Sequence, residues 1–372
     1  MKKILFMINS YGGGGAEKLL LDIVKNISSD KYDITICTFS DKGIYANKFP
    51  EYVHKKELVH TNNKILSWVL IHLLAFVLSP KFVYKYFIKD NYDVEVAFLE
   101  GPMTRILSGS NNSSAKKIAW VHFDLFHNFA TRRLFLTTKR QNSCYKVFDK
   151  VVCVSEVIKD NFVRRFSDTG NLDVLYNFID EDDIKQKLLS NKWDYKGERP
   201  LLISVGRLIK EKGYERLLLV YQKLKAKGKV FHAVILGTGP LYGTLKRMID
   251  SMQLNNTVEL LGFQNNPYIY MKQADLFVLP SLVEGYGLVL AEAMYIGISV
   301  LSTKCAGPEN ILEGGKYGCL VDNTEEGLYK GIKRLLESVE LREEYREKGK
   351  KRVDFFSKKK RVLEIENLLD GE

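Results

Sequence analysis

Short, almost uninterrupted apolar runs alternate with helix-patterned segments along nearly the whole chain, and the pattern stops and restarts once. Runs of this kind have no polar face to offer water, so each reads as a strand buried on both sides. In the first half they fall at residues 3–9, 32–39, 94–99, 117–122, 150–154 and 173–176, with helical spacing at 16–27 and 156–166. In the second half they fall at 201–205, 232–236, 257–261, 276–279, 299–302 and 319–321, with helical spacing at 214–227, 241–252, 288–296 and 325–337. Residues 180–199 between them are polar and charged, and read as an interdomain linker. The expected class is therefore α/β, with two Rossmann-like, doubly wound parallel sheets at residues 1–180 and 181–355 and a charged helical end at 341–372. The length of 372 residues fits, since a single core stops growing at ~250–300 residues. In such folds ligands bind at the carboxyl ends of the strands.

One strand end carries the most chemistry. Ala274-Asp275-Leu276-Phe277-Val278-Leu279-Pro280 is an apolar run stopped by proline. Ser281-Leu282-Val283-Glu284-Gly285-Tyr286-Gly287 follows, and good helix formers run from Leu288 to Met294. Gly285 and Gly287 permit a tight turn. Glu284 then sits on that turn, and Glu292 lies eight residues later, inside the helix. Free amides at a helix start suit an anion such as phosphate. Carboxylates beside such a site are poor phosphate ligands and good acceptors for hydroxyls. Together they point to a phosphate-linked sugar.

Other strand ends are less decisive alone. Gly12-Gly13-Gly14-Gly15 follows the first strand and opens a helix, so its backbone can approach a ligand; a flexible turn is the competing reading. It lacks the spacing of a dinucleotide fingerprint or a P-loop. Gly206-Arg207-Leu208-Ile209-Lys210-Glu211-Lys212-Gly213 follows the first strand of the second half, where Arg207 and Lys212 can hold a diphosphate or line a solvated basic loop. Gly237-Thr238-Gly239-Pro240 is a close turn that faces a ligand or only links two elements. His122 ends a strand of the first half; it can contact a sugar hydroxyl or be structural. Asp180 to Asp183 read as solvated surface rather than a metal site, and Glu309 is placed at the start of a helix. No metal-ligand cluster is expected.

Composition sets the compartment and the partners. Five cysteines with no CxxC pair fit a reduced, cytoplasmic protein, and the N-terminus reads as a first strand rather than a signal peptide. The net charge of +11 asks for an acidic partner. Residues 101–150 alone hold nine bases, Arg132 and Arg133 among them, against two acids. Residues 65–78 are strongly apolar yet too short to span a bilayer, and basic residues alternate with aromatics after Pro80. This segment is either a core helix followed by an amphipathic one, or a surface that docks on anionic lipid.

The ordered set resembles a known family. Glu284 with Glu292, Gly206-Arg207 with Lys212-Gly213, the glycine-rich first turn and Leu175-Tyr176-Asn177-Phe178-Ile179-Asp180 look like retaining GT-B glycosyltransferases of the family-4 type, across essentially the whole chain. The resemblance implies two Rossmann-like domains facing each other across a cleft, with a last helix, about 356–372, packing back on the first. It implies that Arg207 and Lys212 hold the donor diphosphate beside Gly206 and the amides from Gly285 through Tyr286 and Gly287 to Leu288. Glu292 would take the ribose hydroxyls, Glu284 would orient the donor sugar, and His122 would contact the sugar near the reacting centre. Gly13 and Gly14 would approach the diphosphate or the acceptor. The donor is expected to be a UDP-sugar, by family frequency, used as substrate with no cofactor. The acceptor is expected to be a polyprenyl-diphosphate-linked saccharide at the inner face of the cytoplasmic membrane, in surface polysaccharide assembly. Tyr286 stands where the family often has Phe, and Cys305-Ala306-Gly307-Pro308-Glu309 replaces a more glycine-rich loop. A nucleotide-sugar epimerase of the same architecture and a non-catalytic nucleic-acid or partner binder are the rival readings. No nucleic-acid motif accompanies the basic charge, so nucleic acid is not an expected partner.

Overall fold

The computed structural model describes residues 1–126, 132–166, 171–190 and 193–371; the side chains of Arg132 and Arg133 and the linker residues 191–192 lie outside the described set. Backbone contacts divide the chain into two units, Met1–Asn177 with the segment from Lys359 onward, and Phe178–Lys358.

The first unit is built on a seven-stranded sheet of β1 (Lys2–Met7), β2 (Tyr32–Thr38), β3 (His54–Glu57), β4 (Val94–Ala97), β5 (Lys116–Val121), β6 (Lys150–Cys153) and β7 (Leu172–Val174). The order is β3-β2-β1-β4-β5-β6-β7, and every pair is parallel. Lys2 lies opposite Tyr32 and Met7 opposite Cys37, while Ile4 lies opposite Val94 on the other side. β1 is central, and Ile4, Leu5, Phe6 and Met7 are wholly buried, as a strand covered on both faces must be. The strand order reverses at β1, so the glycine turn after it occupies the switch point of this sheet. Sequence patterning misses β3, because His54-Lys55-Lys56-Glu57 has no apolar residue. Among the described residues it is an edge strand bonded only to β2, where charge blunts unwanted pairing.

The second unit has a six-stranded parallel sheet of β8 (Leu201–Val205), β9 (His232–Leu236), β10 (Val258–Gly262), β11 (Leu276–Leu279), β12 (Ser299–Thr303) and β13 (Cys319–Val321). Its order is β10-β9-β8-β11-β12-β13. Here the reversal lies at β8, with β9 on one side and β11 on the other. The loops after β8 and β11 therefore flank the switch point, and these loops carry Arg207, Lys212 and Glu284.

The polar stretch is not an extended linker. Glu181–Leu189 is a helix whose N-cap, Asp180, accepts from the Asp183 amide at 3.2 Å, a cap worth about 1 kcal/mol. Three acids in its first turn favour the positive end of the helix dipole, and Ile184 anchors it in the core. Asp180 is buried rather than solvated, and the Lys358 ammonium donates to Asp180 at 2.9 Å and to Asp182 at 2.7 Å.

Near the chain end, helix Lys358–Asp370 is tied to the first sheet. Lys2 donates to the Leu369 carbonyl at 3.0 Å and Lys116 to the Leu368 carbonyl at 2.8 Å. Both ammonium groups satisfy last-turn carbonyls that have no partner within the helix. The Ser28 amide donates to Glu366 at 2.8 Å on the same helix. No helix among the described residues is long and apolar enough to cross a membrane.

Candidate functional site

At the carboxyl end of β11, Pro280 needs no ladder donor, and its carbonyl becomes an anchor. Arg216, on helix Tyr214–Ala226, donates to the Pro280 carbonyl at 2.6 and 3.1 Å, to the Ser281 carbonyl at 2.9 Å and to Asn323 Oδ1 at 2.6 Å. Asn323 in turn donates to the carbonyls of Leu282 at 2.9 Å and Lys304 at 3.2 Å. Thr303 Oγ1, at the end of β12, donates to the Ser281 carbonyl at 2.6 Å. The residues around Glu284 are thus bolted to three neighbouring elements before any ligand arrives.

Two glycines fit the loops together. Gly213 has φ +68°, and a Cβ there would lie 2.2 Å from the Pro280 carbonyl oxygen. A Cβ on Gly307 would lie 2.1 Å from the Tyr286 carbonyl oxygen. Neither position accommodates a side chain unless the loop opposite moves.

Lys212 Nζ and Glu284 Oε2 form an ion pair, and Ser281 Oγ donates to the same carboxylate oxygen at 3.0 Å. The two side chains are 19% and 11% exposed, so water screens the pair only weakly. The Lys212 stem passes Gly206, whose added Cβ would lie 3.9 Å from Lys212 Cδ and Cε. Burial, then Glu284, pushes the Tyr214 hydroxyl well above the usual phenol range. Burial pushes the Cys305 thiol up to about 11; the Thr303 hydrogen bond opposes it, Glu284 adds a smaller rise, and Arg216 and Lys212 oppose less still. Gly206, Lys212, Glu284, Tyr214 and Cys305 therefore share one neighbourhood.

Arg207 differs from Lys212. Its side chain is exposed, and it makes no ion pair among the described residues. Glu292, the fifth residue of helix Leu288–Ile296, is buried, and Tyr268 donates its hydroxyl to Glu292 Oε1 at 3.3 Å. Gly287 is the N-cap in left-handed conformation, and the amides of Leu288 and Val289 lie beyond reach of an intrahelical acceptor. Gly285 and Tyr286, within the turn, are buried. The helix with Glu309 starts three residues before it, at Ala306, because Cys305 is already the extended N-cap residue; Glu309 is exposed within its single turn or so.

In the first unit Gly13 is exposed, and Gly14 is the N-cap of helix Gly15–Asn26. His122, just past β5, is buried, with ring centroids 4.9 Å from Phe98 and 6.1 Å from Trp120. Its Nε2 has no hydrogen-bond partner among the described residues. Burial lowers its pKa to about 3, so the ring is neutral at physiological pH. Beside it stands Glu100, which sequence reasoning missed. The Glu100 carboxyl is buried, accepts the His122 amide at 2.9 Å and the Phe123 amide through the same oxygen, and leaves its other oxygen unpartnered among the described residues. Desolvation raises its pKa from 4.5 to about 7 against the lowering effect of those amides. Arg216, Tyr268, Asn323 and Glu100 lack any motif; only their place after a strand, or on the helix that follows one, could have flagged them.

Two family descriptions cover these parts. Residues 185–352 match "Glycosyl transferases group 1", and residues 13–183 match "Glycosyltransferase Family 4". The chain carries the two domains of a GT-B glycosyltransferase. This glycosyltransferase is 29% identical, over 97% of both chains, to the Campylobacter jejuni N-acetylgalactosamine-N,N'-diacetylbacillosaminyl-diphospho-undecaprenol 4-alpha-N-acetylgalactosaminyltransferase. It is 23% identical to the Escherichia coli O-antigen biosynthesis glycosyltransferase WclY, over 81% of this chain and 80% of that one. In fold it is similar to Anabaena Alr3699/HepE, solved with UDP and glucose, with a TM-score of 0.75, 19% identity and full coverage of both chains.

Proposed function

We propose that this glycosyltransferase moves a sugar from a nucleotide diphosphate donor, a UDP-sugar, to a hydroxyl of a polyprenyl-diphosphate-linked saccharide, with retention at the anomeric carbon. The observation that carries the reading is the turn after β11, where an anchored carboxylate, a shared ammonium and helix-start amides are held together at the switch point of the second sheet. The name of the Campylobacter relative supports the acceptor class, since it specifies a saccharide on diphospho-undecaprenol and an alpha linkage. The work would belong to surface polysaccharide assembly, with the protein cytoplasmic and peripheral at the inner membrane face.

As the glycosidic bond breaks, negative charge builds on the leaving diphosphate. Arg207, exposed and without an ion pair among the described residues, supplies a planar donor set for it. Lys212 has three donors, so its ammonium can keep Glu284 and still reach a phosphate oxygen. Amides from Gly285 to Leu288 add neutral donors that need no reorganisation. Gly206 lets the backbone approach. Glu284, fixed by Lys212 and Ser281, orients the donor sugar, and Glu292 takes ribose hydroxyls in exchange for the Tyr268 hydroxyl. In the first unit, neutral His122 can donate to or accept from a sugar hydroxyl, and Gly13 and Gly14 leave room for phosphate. The diphosphate itself accepts the acceptor proton, so no resident metal is invoked.

The test incubates purified protein with a panel of labelled UDP-, GDP- and ADP-sugars and a short-chain polyprenyl-diphosphate saccharide, with and without EDTA, and assigns the product linkage by NMR. An alpha product from an alpha donor, formed in EDTA, is the expected result. An inverted linkage overturns retention. A donor epimerised without transfer selects the epimerase.

A further inference from the structure

We propose that residues 64–88 form a docking surface for an anionic lipid bilayer, with the exposed apolar crest entering the interface and lysines on the headgroups. The inference deepens the membrane side of the function proposed above and names the surface that carries it.

Helix Lys64–His72 is apolar along most of its length, yet none of its nine residues is buried. A helix that is hydrophobic all round is normally enclosed by protein. Here Ile65 is 77% exposed and Trp68 61%, and Leu66 and Val69 are exposed as well. The chain continues through a π-helical turn, Leu73–Val77, a short helix, Pro80–Val83, and a second π-helical turn, Tyr84–Ile88. Phe76, Val77, Phe82 and Tyr86 extend the exposed face.

The base of this segment is fixed rather than loose. Leu74, Ala75, Val83, Tyr84 and Ile88 are buried. Arg105 donates to the Ala75 carbonyl at 3.1 Å and to the Leu78 carbonyl at 2.9 Å, and the Tyr84 hydroxyl donates to the buried Glu95 carboxylate. The crest is ordered too. His72 lies between Trp68, at 4.0 Å between centroids, and Phe76, at 5.2 Å, while Phe82 lies 4.5 Å from Tyr86. Rings pre-assembled in this way lose little freedom on insertion.

Charge selects the occupant. From Lys64 to Lys89 the chain has four lysines, at 64, 81, 85 and 89, and no acidic residue. All four lysines are exposed. An apolar face interleaved with cations alone matches an anionic headgroup layer, where Trp and Tyr settle and each lysine adds attraction. A second copy of this chain would bring the same four cations into contact and repel.

The experiment measures cosedimentation of the full-length protein with phosphatidylcholine vesicles and with mixed phosphatidylglycerol–phosphatidylcholine vesicles. Binding is expected for the mixed vesicles, weakening as salt rises. The double variant Leu66→Ser, Trp68→Ser should lower that partition by about tenfold or more. Its melting temperature and its transfer to a water-soluble acceptor should stay unchanged, because neither side chain is buried. Lys81→Glu with Lys85→Glu should remove the preference for the anionic lipid. In a complementary readout, brominated lipid should quench Trp68 emission, and the quench should vanish in Trp68→Tyr. Absence of wild-type binding to the mixed vesicles, or equal binding by the Ser variant, overturns the proposal. Self-association of wild type that the Ser variant loses, with no lipid binding, assigns the face to a second copy and overturns it as well. Vesicle binding is read without any transfer reaction, so loss of transfer with intact binding would sink the proposed function and leave this surface standing.

Discussion

Glu100→Gln isolates the buried carboxyl beside His122. The amide keeps the oxygen that accepts the His122 and Phe123 amides and removes the titration. Burial lifts the Glu100 pKa from 4.5 to about 7, so within that range the folded chain keeps a proton that the unfolded chain has released. Stability from this group therefore falls as pH rises from 4.5 to about 7, by on the order of 3 kcal/mol. His122 acts in the other direction. Its folded pKa of about 3 lies below the ordinary 6.5, so the unfolded chain binds the extra proton and stability rises with pH across that window. In wild type the two slopes oppose each other where the windows overlap, and in Glu100→Gln only the histidine slope remains. Chemical denaturation of the first unit in both proteins, at a series of pH values, gives the difference directly. Variant minus wild type should grow by on the order of 3 kcal/mol from pH 4.5 to about 7 and then level off. A difference that does not change with pH refutes the reasoning.

Arg207→Ala should slow transfer by about 10²–10³-fold with an unchanged melting temperature, because the side chain is exposed and, in the function proposed above, holds the diphosphate and the charge that builds on it; normal turnover would remove it from the diphosphate site. Lys212→Met strands the Glu284 carboxylate and should cost roughly 3 kcal/mol in denaturation midpoints, while Lys212→Met with Glu284→Gln should recover most of that loss. Gly307→Ala should destabilise the second unit by about 1–3 kcal/mol and raise the donor KM, since its Cβ would push on the Tyr286 carbonyl.

How much was legible in the sequence follows from what patterning reads. Strands buried on both faces announce themselves, so β8, β9, β11 and β13 fall where their apolar runs do. β3 escaped because an edge strand need not be apolar. The helix at Glu181–Leu189 escaped because its stability rests on a cap and a dipole, and only Ile184 is buried. Within the site, Glu284 and Lys212 stand on loops marked by glycines, and the structure pairs them. Arg216 and Asn323 hold that turn through carbonyl groups distant in sequence, which no spacing encodes. Glu100 is visible only through its burial beside His122.

The claim on which the rest depends is that Arg207, Lys212 and the turn after β11 grip the distal phosphate of a nucleotide diphosphate. Calorimetric titration of wild type and Arg207→Ala with UDP and with UMP tests it. UDP should bind wild type more tightly than UMP by about tenfold or more, and Arg207→Ala should erase most of that gap while leaving UMP affinity nearly unchanged. Equal affinities in wild type, or a gap that survives the substitution, would contradict it.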